Sequence, residues 1–327
     1  MSLRRISLIL GSFFLYNVKM SWLSKLTEKH LLIVGLALVG GVVFTNEIIN
    51  FSYLSTWFLG LIFFFSSLKI DLKKVGQYLH DPYMLIVVNL MMLIVLPIIV
   101  FLVMNFVFPS LALAFLLLAV MPSGMTSPLL SEISGGNHGL ALVLAVATSL
   151  LAPLTVPFVI KFMVGTTVAV SFADMFYLLA IVIYVPFILA QIVKYLWNDL
   201  VIEIEPELKP VSVLLLGLLI LVVVSKQAVT IMEGFSQGGI AFVYLGALFL
   251  FFIVLHVIGY FAVFWKRIED RLTIVVCLTY MNFTLAIELA NNFFTEPNVI
   301  IPVVLAVIPW SLMFVPYKYW VGRALNN

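Results

Sequence analysis

Few residues in this chain are of a type that does chemistry, and most of them fall in two short runs. The first reads Met121-Pro122-Ser123-Gly124-Met125-Thr126-Ser127-Pro128, with Glu132 just beyond it. The second reads Thr279-Tyr280-Met281-Asn282-Phe283-Thr284, with Glu288 beyond it. Hydroxyls and an amide donate to a carboxylate and accept from a hydroxyl, whereas a carboxylate holds a cation or relays a proton. Candidate substrate contacts are therefore Ser123, Gly124, Thr126, Ser127, Asn282 and Thr284, and candidate ion-coupling groups are Glu132 and Glu288. Plainer roles compete with each. A hydroxyl in a helix bonds back to the carbonyl one turn earlier, and either glutamate fits an interface or a water vestibule. Enzymatic chemistry finds no support: the chain has no His-Glu-x-x-His, no Gly-x-Ser-x-Gly, four His and the single cysteine Cys277. A metal site is not expected, and no glycine loop followed by lysine is present to bind a nucleotide.

The setting of these runs is a membrane. An ordinary domain is roughly 45–50% apolar and about 25% charged; this chain of 327 residues is 64% hydrophobic and 10% charged. A core able to hide that much apolar surface is not available at this length, so lipid must be the solvent. A cytosolic enzyme, a nucleic-acid binder and a secreted disulfide scaffold are excluded. Runs long enough to approach the roughly 20 residues of a transmembrane helix occur at 31–46, 53–68, 83–107, 111–131, 139–164, 173–196, 210–231, 240–264, 273–294 and 298–320. They are continuous, not alternating as in a membrane β-barrel, so the expected fold is all-α with ten transmembrane helices. Residues 1–30 start with Arg4, Arg5 and an apolar stretch broken at Gly11 and Ser12. They read as a retained interfacial arm in preference to a cleaved signal.

Charge orients the bundle. All basic residues but Lys161 and Lys226, of 17, fall on one face when the N-terminus is inside. The positive-inside rule then makes both termini cytoplasmic and the span number even, in what we expect to be the cell membrane. The longest polar connection, 197–209, contains Asp199, Glu203, Glu205 and Glu207 and reads as a loop between the sixth and seventh helices. It leaves two sets of five, 31–164 and 165–327, the second entering from the opposite side, as in inverted-repeat transporters. The polar runs occupy the fourth helix of each set. Aligning Met125-Thr126 on Met281-Asn282 also places Leu129 on Leu285 and Glu132 on Glu288. Pro122, Gly124 and Pro128 should unwind the first run; unwound backbone at membrane depth survives only where protein or a water-filled cavity satisfies it.

At these residues the chain resembles the bile acid:sodium symporter family, within the wider superfamily that includes arsenite permeases. Leu59-Gly60-Leu61-Ile62-Phe63 with Leu68-Lys69-Ile70-Asp71 is similar to the family's helix 2. Pro122-Ser123-Gly124, Gly135-Gly136-Asn137, Leu140 and Leu151-Ala152-Pro153-Leu154 are similar to its helices 4 and 5, and Asn282 with Leu285-Ala286 to its helix 9. The resemblance implies a panel domain and a core domain, helices 4 and 9 crossing near the substrate and ion sites, a small organic anion as substrate and sodium as coupled ion. At the family's acidic and Gln positions on helix 9 this chain has Cys277 and Met281, and the helix 5 hydroxyls fall on Ala141 and Ala145. A thiol or a methyl is no ligand for a hard cation, which leaves sodium, a proton or no ion as coupling partner. The arsenite branch resembles Asn282-Phe283-Thr284-Leu285-Ala286-Ile287 but has Glu where Thr284 stands, and helix 4 here lacks a Cys for a soft metalloid.

The expected function is secondary active transport of a small organic anion by alternating access. A proton-coupled or uncoupled carrier, an arsenite-type permease and a non-transporting scaffold follow in that order. Among single residues, Lys226 could attract an anion or pair with Glu288, and Lys161 has the same but weaker claim. His256 reads as a hydrogen-bonded packing residue in preference to a proton relay. Asn89 and Asn105 line a cavity or bond between helices, and the aromatics, including Phe63-Phe64-Phe65, Tyr317 and Trp320, read as lipid-facing or interfacial.

Overall fold

The computed structural model describes residues 30–70, 82–165, 171–236 and 239–326. The N-terminal arm 1–29 lies outside the described residues. Every named element is helical. Helix α1 (His30–Val43) leads through the short α2 (Thr45–Ile48) and a 3-10 segment, Ile49–Leu54, into α3 (Ser55–Leu68). Then come α4 (Pro82–Leu90), a π-helical turn at Met91–Val95, α5 (Leu96–Val107), α6 (Ala112–Ala119) and α7 (Ser127–Ile133). Long helices follow: α8 (His138–Val164), α9 (Phe172–Leu196), α10 (Asn198–Ser236) and α11 (Ile240–Ala262). The chain finishes with α12 (Ile268–Thr279), α13 (Phe283–Phe293), α14 (Pro297–Leu305), α15 (Val307–Leu312) and α16 (Phe314–Asn326).

Among the described residues, seven helical stretches are long and apolar enough to cross a membrane: Thr45–Leu68, Pro82–Val107, His138–Val164, Phe172–Leu196, Pro210–Val229, Ile240–Ala262 and Pro297–Val321. The other three expected spans have a physical reason for falling short. Run 31–46 is the short α1. Runs 111–131 and 273–294 are each broken into two half-helices, and α6, at 8 residues, covers only about 12 Å at 1.5 Å per residue.

One expectation is corrected outright. The acidic stretch 197–209 is no loop, because α10 begins at Asn198 and runs for 39 residues with Pro206 and Pro210 inside it. Val201 and Leu208 are buried against Leu68 and Ala190, with Ile204 packed on the same cluster. Asp199, Glu203 and Glu205 stay exposed. That is an amphipathic helical period, and it outweighs a polar composition that suggests a loop.

The helices sort into two packing groups. Helices α1, α3 and α9 each pack on α10, and α9 also packs directly on α3. Close approach along α10 is set by small residues: an added β-carbon at Gly41 would meet Val224 at 2.8 Å, and one at Gly217 would meet Ile33 at 2.7 Å. The remaining helices surround the broken pairs α6/α7 and α12/α13. The expectation that Phe63 and Tyr317 face lipid is also overturned. Phe63 is buried in the core and Tyr317 is buried against His256, with ring centroids 4.9 Å apart; Trp320 is exposed as expected.

Candidate functional site

The two unwound segments cross and pair. Ser123 and Met281 form an isolated antiparallel bridge: the Gly124 N–H donates to the Tyr280 carbonyl at 3.0 Å, and the Asn282 N–H donates to the Pro122 carbonyl at 2.8 Å. Backbone groups that no helix satisfies are thus satisfied by each other, which is what permits irregular backbone inside an apolar bundle. Gly124 is required at this crossing, since a β-carbon there would lie 2.5 Å from the Tyr280 carbonyl oxygen. Pro128 does not kink a continuous helix. It occupies the first turn of α7, where its missing N–H would have lacked a partner anyway.

Side chains brace the crossing. Thr148 of α8 accepts the Ser123 N–H at 3.1 Å and donates its hydroxyl to the Leu144 carbonyl at 2.7 Å. The Ser123 hydroxyl donates to Ser127 at 2.9 Å, and Ser127 donates to the Tyr280 carbonyl at 3.4 Å. Asn282 caps α13: its Oδ1 accepts the Leu285 N–H at 3.3 Å and the Thr284 hydroxyl at 2.6 Å. A second tie lies one turn away, where Thr273 of α12 meets Ser131 at 3.0 Å and accepts the Asn137 N–H at 2.7 Å. Tyr280 is held from the far side by His256, whose Nε2 is 3.1 Å from the Tyr280 hydroxyl while Nδ1 faces the Phe252 carbonyl at 2.7 Å. His256 is therefore a hydrogen-bonded packing residue.

Of the eight residues singled out in the sequence, the structure brings Ser123, Gly124, Ser127, Asn282 and Thr284 together. Thr126 is exposed and stands outside the network. Glu132 is 66% exposed and pairs with His138 at 3.3 Å, so it is a surface residue. Glu288 is fully buried, and its Oε1 accepts from the Thr56 hydroxyl of α3 and from the Asn292 amide, the latter at 2.9 Å. Its Oε2 is buried with no partner. Lys226 is exposed, and Thr56 occupies the place considered for it beside Glu288. Asn89 bonds within its own helix, to the Leu85 carbonyl at 2.7 Å.

The sequence reading missed Thr148, Thr56, Ser67 and Ser149. Helix α8 does supply a hydroxyl, at Thr148 and not at the positions of Ala141 and Ala145. Ser67 and Ser149 line a cavity between α3, α8 and α9 that reaches Met125 of the unwound turn. Both hydroxyls are buried and unpartnered against walls formed by Phe63, Val146 and Phe187. In the state described, this gap has room for about one water molecule. The only available hint was a Thr148-Ser149 pair in an otherwise apolar helix.

Residues 29–316 match the family model described as the SBF-like CPA transporter family. The chain belongs to that family. No curated protein matches it. As an SBF-like transporter, the chain is an integral membrane protein, and the crossing of its broken helices falls inside the matched region. A resident sodium ion does not fit the donors at that crossing. The buried thiol of Cys277 stands where the resemblance implies a carboxylate, and Met281 where it implies an amide; a hard cation wants oxygen.

Proposed function

We propose that this protein is a secondary active carrier that moves a small organic anion by alternating access. The observation that carries the reading is the Ser123–Met281 bridge. Two interrupted helices that meet end to end bring four half-helix termini, with their partial charges, to one place in the bilayer. A passive bundle has no use for such an arrangement. In this reading the short α1, the two broken helices and the seven long stretches make ten crossings, 31–164 and 165–327 being inverted halves with both termini cytoplasmic. In the same reading the narrow gap between α3, α8 and α9 widens into the substrate cleft when the helix groups move, with Ser67 and Ser149 as hydroxyl contacts and Asn282 and Thr284 on the opposite side of the crossing. Relative movement of the two helix groups exposes the cleft to either side in turn. The test is uptake of radiolabelled mono- and dicarboxylates into proteoliposomes under imposed sodium or proton gradients. Concentrative uptake of at least one of them is expected. Uptake equal to that of empty liposomes for every probe and gradient would overturn the reading.

A further inference from the structure

We infer that Thr56 and Gln227, reaching from one helix group onto α13 of the other, form a gate that closes one end of the seam between the groups, and that the end at Ser67 and Ser149 is the one poised to part. Helices α3 and α10 both pack on α13, and each sends it one polar side chain. The Thr56 hydroxyl of α3 donates to Glu288 Oε1. The Gln227 amide of α10 donates to Asn291 Oδ1 at 3.5 Å. Asn292 holds the receiving carboxyl in place, its amide donating to Glu288 Oε1 at 2.9 Å and to the Glu288 carbonyl at 2.8 Å. Two helices of one group are thereby pinned to a single turn of the other.

The other end of α3 is bonded differently. Ser67 lies about 16 Å further along the helix, at 1.5 Å per residue. There the polar bonds stay inside the group: the Gln191 amide of α9 donates to the Ser67 carbonyl at 3.0 Å, and the Lys194 ammonium to the Ile70 carbonyl at 2.9 Å. The Ser67 hydroxyl shares the gap with that of Ser149, on α8 of the other group, and both are buried without a partner. A buried hydroxyl that bonds nothing carries a desolvation cost, which water removes on opening. One end of the seam is thus held by donors that cross it, and the other gains hydrogen bonds when it parts. Between them the Tyr184 hydroxyl of α9 donates to the Leu150 carbonyl of α8 at 2.8 Å, a contact about which the groups can turn. The gating role rests on the carrier reading, whereas the bonds across the seam do not.

Thiol labelling tests the gate without a substrate. The full-length protein carries Cys277→Ala, so that each probe is its sole thiol, and sits in lipid nanodiscs that leave both faces in contact with reagent. Leu59→Cys places a probe about one turn along α3 from Thr56, at a fully buried position; Ser149→Cys places one in the gap. A hydrophilic maleimide should react with Ser149→Cys at least tenfold faster than with Leu59→Cys. Adding Thr56→Val should speed Leu59→Cys at least fivefold and slow Ser149→Cys, since opening at one end draws population from the other. Thr56→Ser, which keeps the hydroxyl, should leave both rates as they were. Gln227→Leu does not touch Glu288 and should act in the same direction as Thr56→Val, which decides the matter if the latter fails to fold. Leu59→Cys labelling unchanged by loss of either donor, or rates that rise at both ends, would overturn the gate. The expected labelling in a protein that transports no probe would sink the carrier reading and leave the hinged seam standing.

Discussion

The Gly124 N–H and the Tyr280 carbonyl oxygen are 3.0 Å apart, and this contact, with the bond from the Asn282 N–H to the Pro122 carbonyl, joins the two unwound turns. Its geometry requires a residue without a β-carbon. We expect Gly124→Ala to push the segments apart, with a loss of about 1–3 kcal/mol from overpacking and abolished uptake. Thermal unfolding in detergent and proteoliposome uptake check both; a variant with wild-type melting and transport would contradict the arrangement.

Thr148 anchors the same turn from α8. Thr148→Val leaves the buried Ser123 N–H without an acceptor, a penalty of about 1–3 kcal/mol, whereas Thr148→Ser keeps the oxygen and should melt within a degree or two of the wild type. Equal melting temperatures for the Val and Ser variants would show that the hydroxyl does not brace the crossing.

Asn282 caps α13, and the binding role proposed for it can be tested separately with two substitutions. Asn282→Ala removes the cap of α13, for about 1 kcal/mol. Asn282→Asp keeps an oxygen for the Leu285 N–H and the Thr284 hydroxyl, yet a carboxylate ionised at this buried place is costly, so it should melt below the wild type. In the proposed anion site its negative charge should also reduce uptake at least tenfold. Transport by the Asp variant at the wild-type rate would remove Asn282 from the binding site.

Ser67 and Ser149 invert the usual expectation for buried polar residues. Their hydroxyls have no partner to lose, so alanine at either place should be neutral or slightly stabilising. Uptake should fall in the double variant. If it does not, the cavity they line is not the substrate cleft.

Glu132 and Glu288 looked equivalent when one run was aligned on the other, but the bundle treats them differently. A half-exposed pair such as Glu132–His138 contributes about 0–1 kcal/mol at most. Glu132→Gln is expected to leave uptake, its ion dependence and melting unchanged, a result that Glu288→Gln should not share.

Much of the fold was legible because membrane burial leaves so coarse a mark. Apolar runs located the long helices, and Pro122, Gly124 and Pro128 disclosed the first break directly. The second break has no proline, and only the polar run from Thr279 to Thr284 hinted at it. The pairing itself was not legible: Ser123 faces Met281, and similarity between the two runs does not report which backbone groups bond. The helical character of 198–209 was hidden because its acidic residues dominate the composition while its three apolar anchors are spaced for a helix. Thr56 could not be found at all. Its importance comes from Glu288, 232 positions away, and a lone threonine at the start of a helix is otherwise unremarkable.

The unbroken length of α10 gives the molecule a lever. Its apolar portion, Pro210–Val229, already covers the roughly 30 Å of hydrocarbon, so the twelve residues before it extend past that portion, with Pro206 and Pro210 between and with Val201 and Leu208 packed on Leu68 and Ala190. At 1.5 Å per residue, a tilt of about ten degrees around the middle of the apolar portion swings the Asn198 end by roughly 6 Å. If the proposed rocking occurs, its largest displacement on α10 falls at the acidic end that contains Asp199, Glu203 and Glu205. A fluorophore attached there would report the transport cycle from outside the membrane.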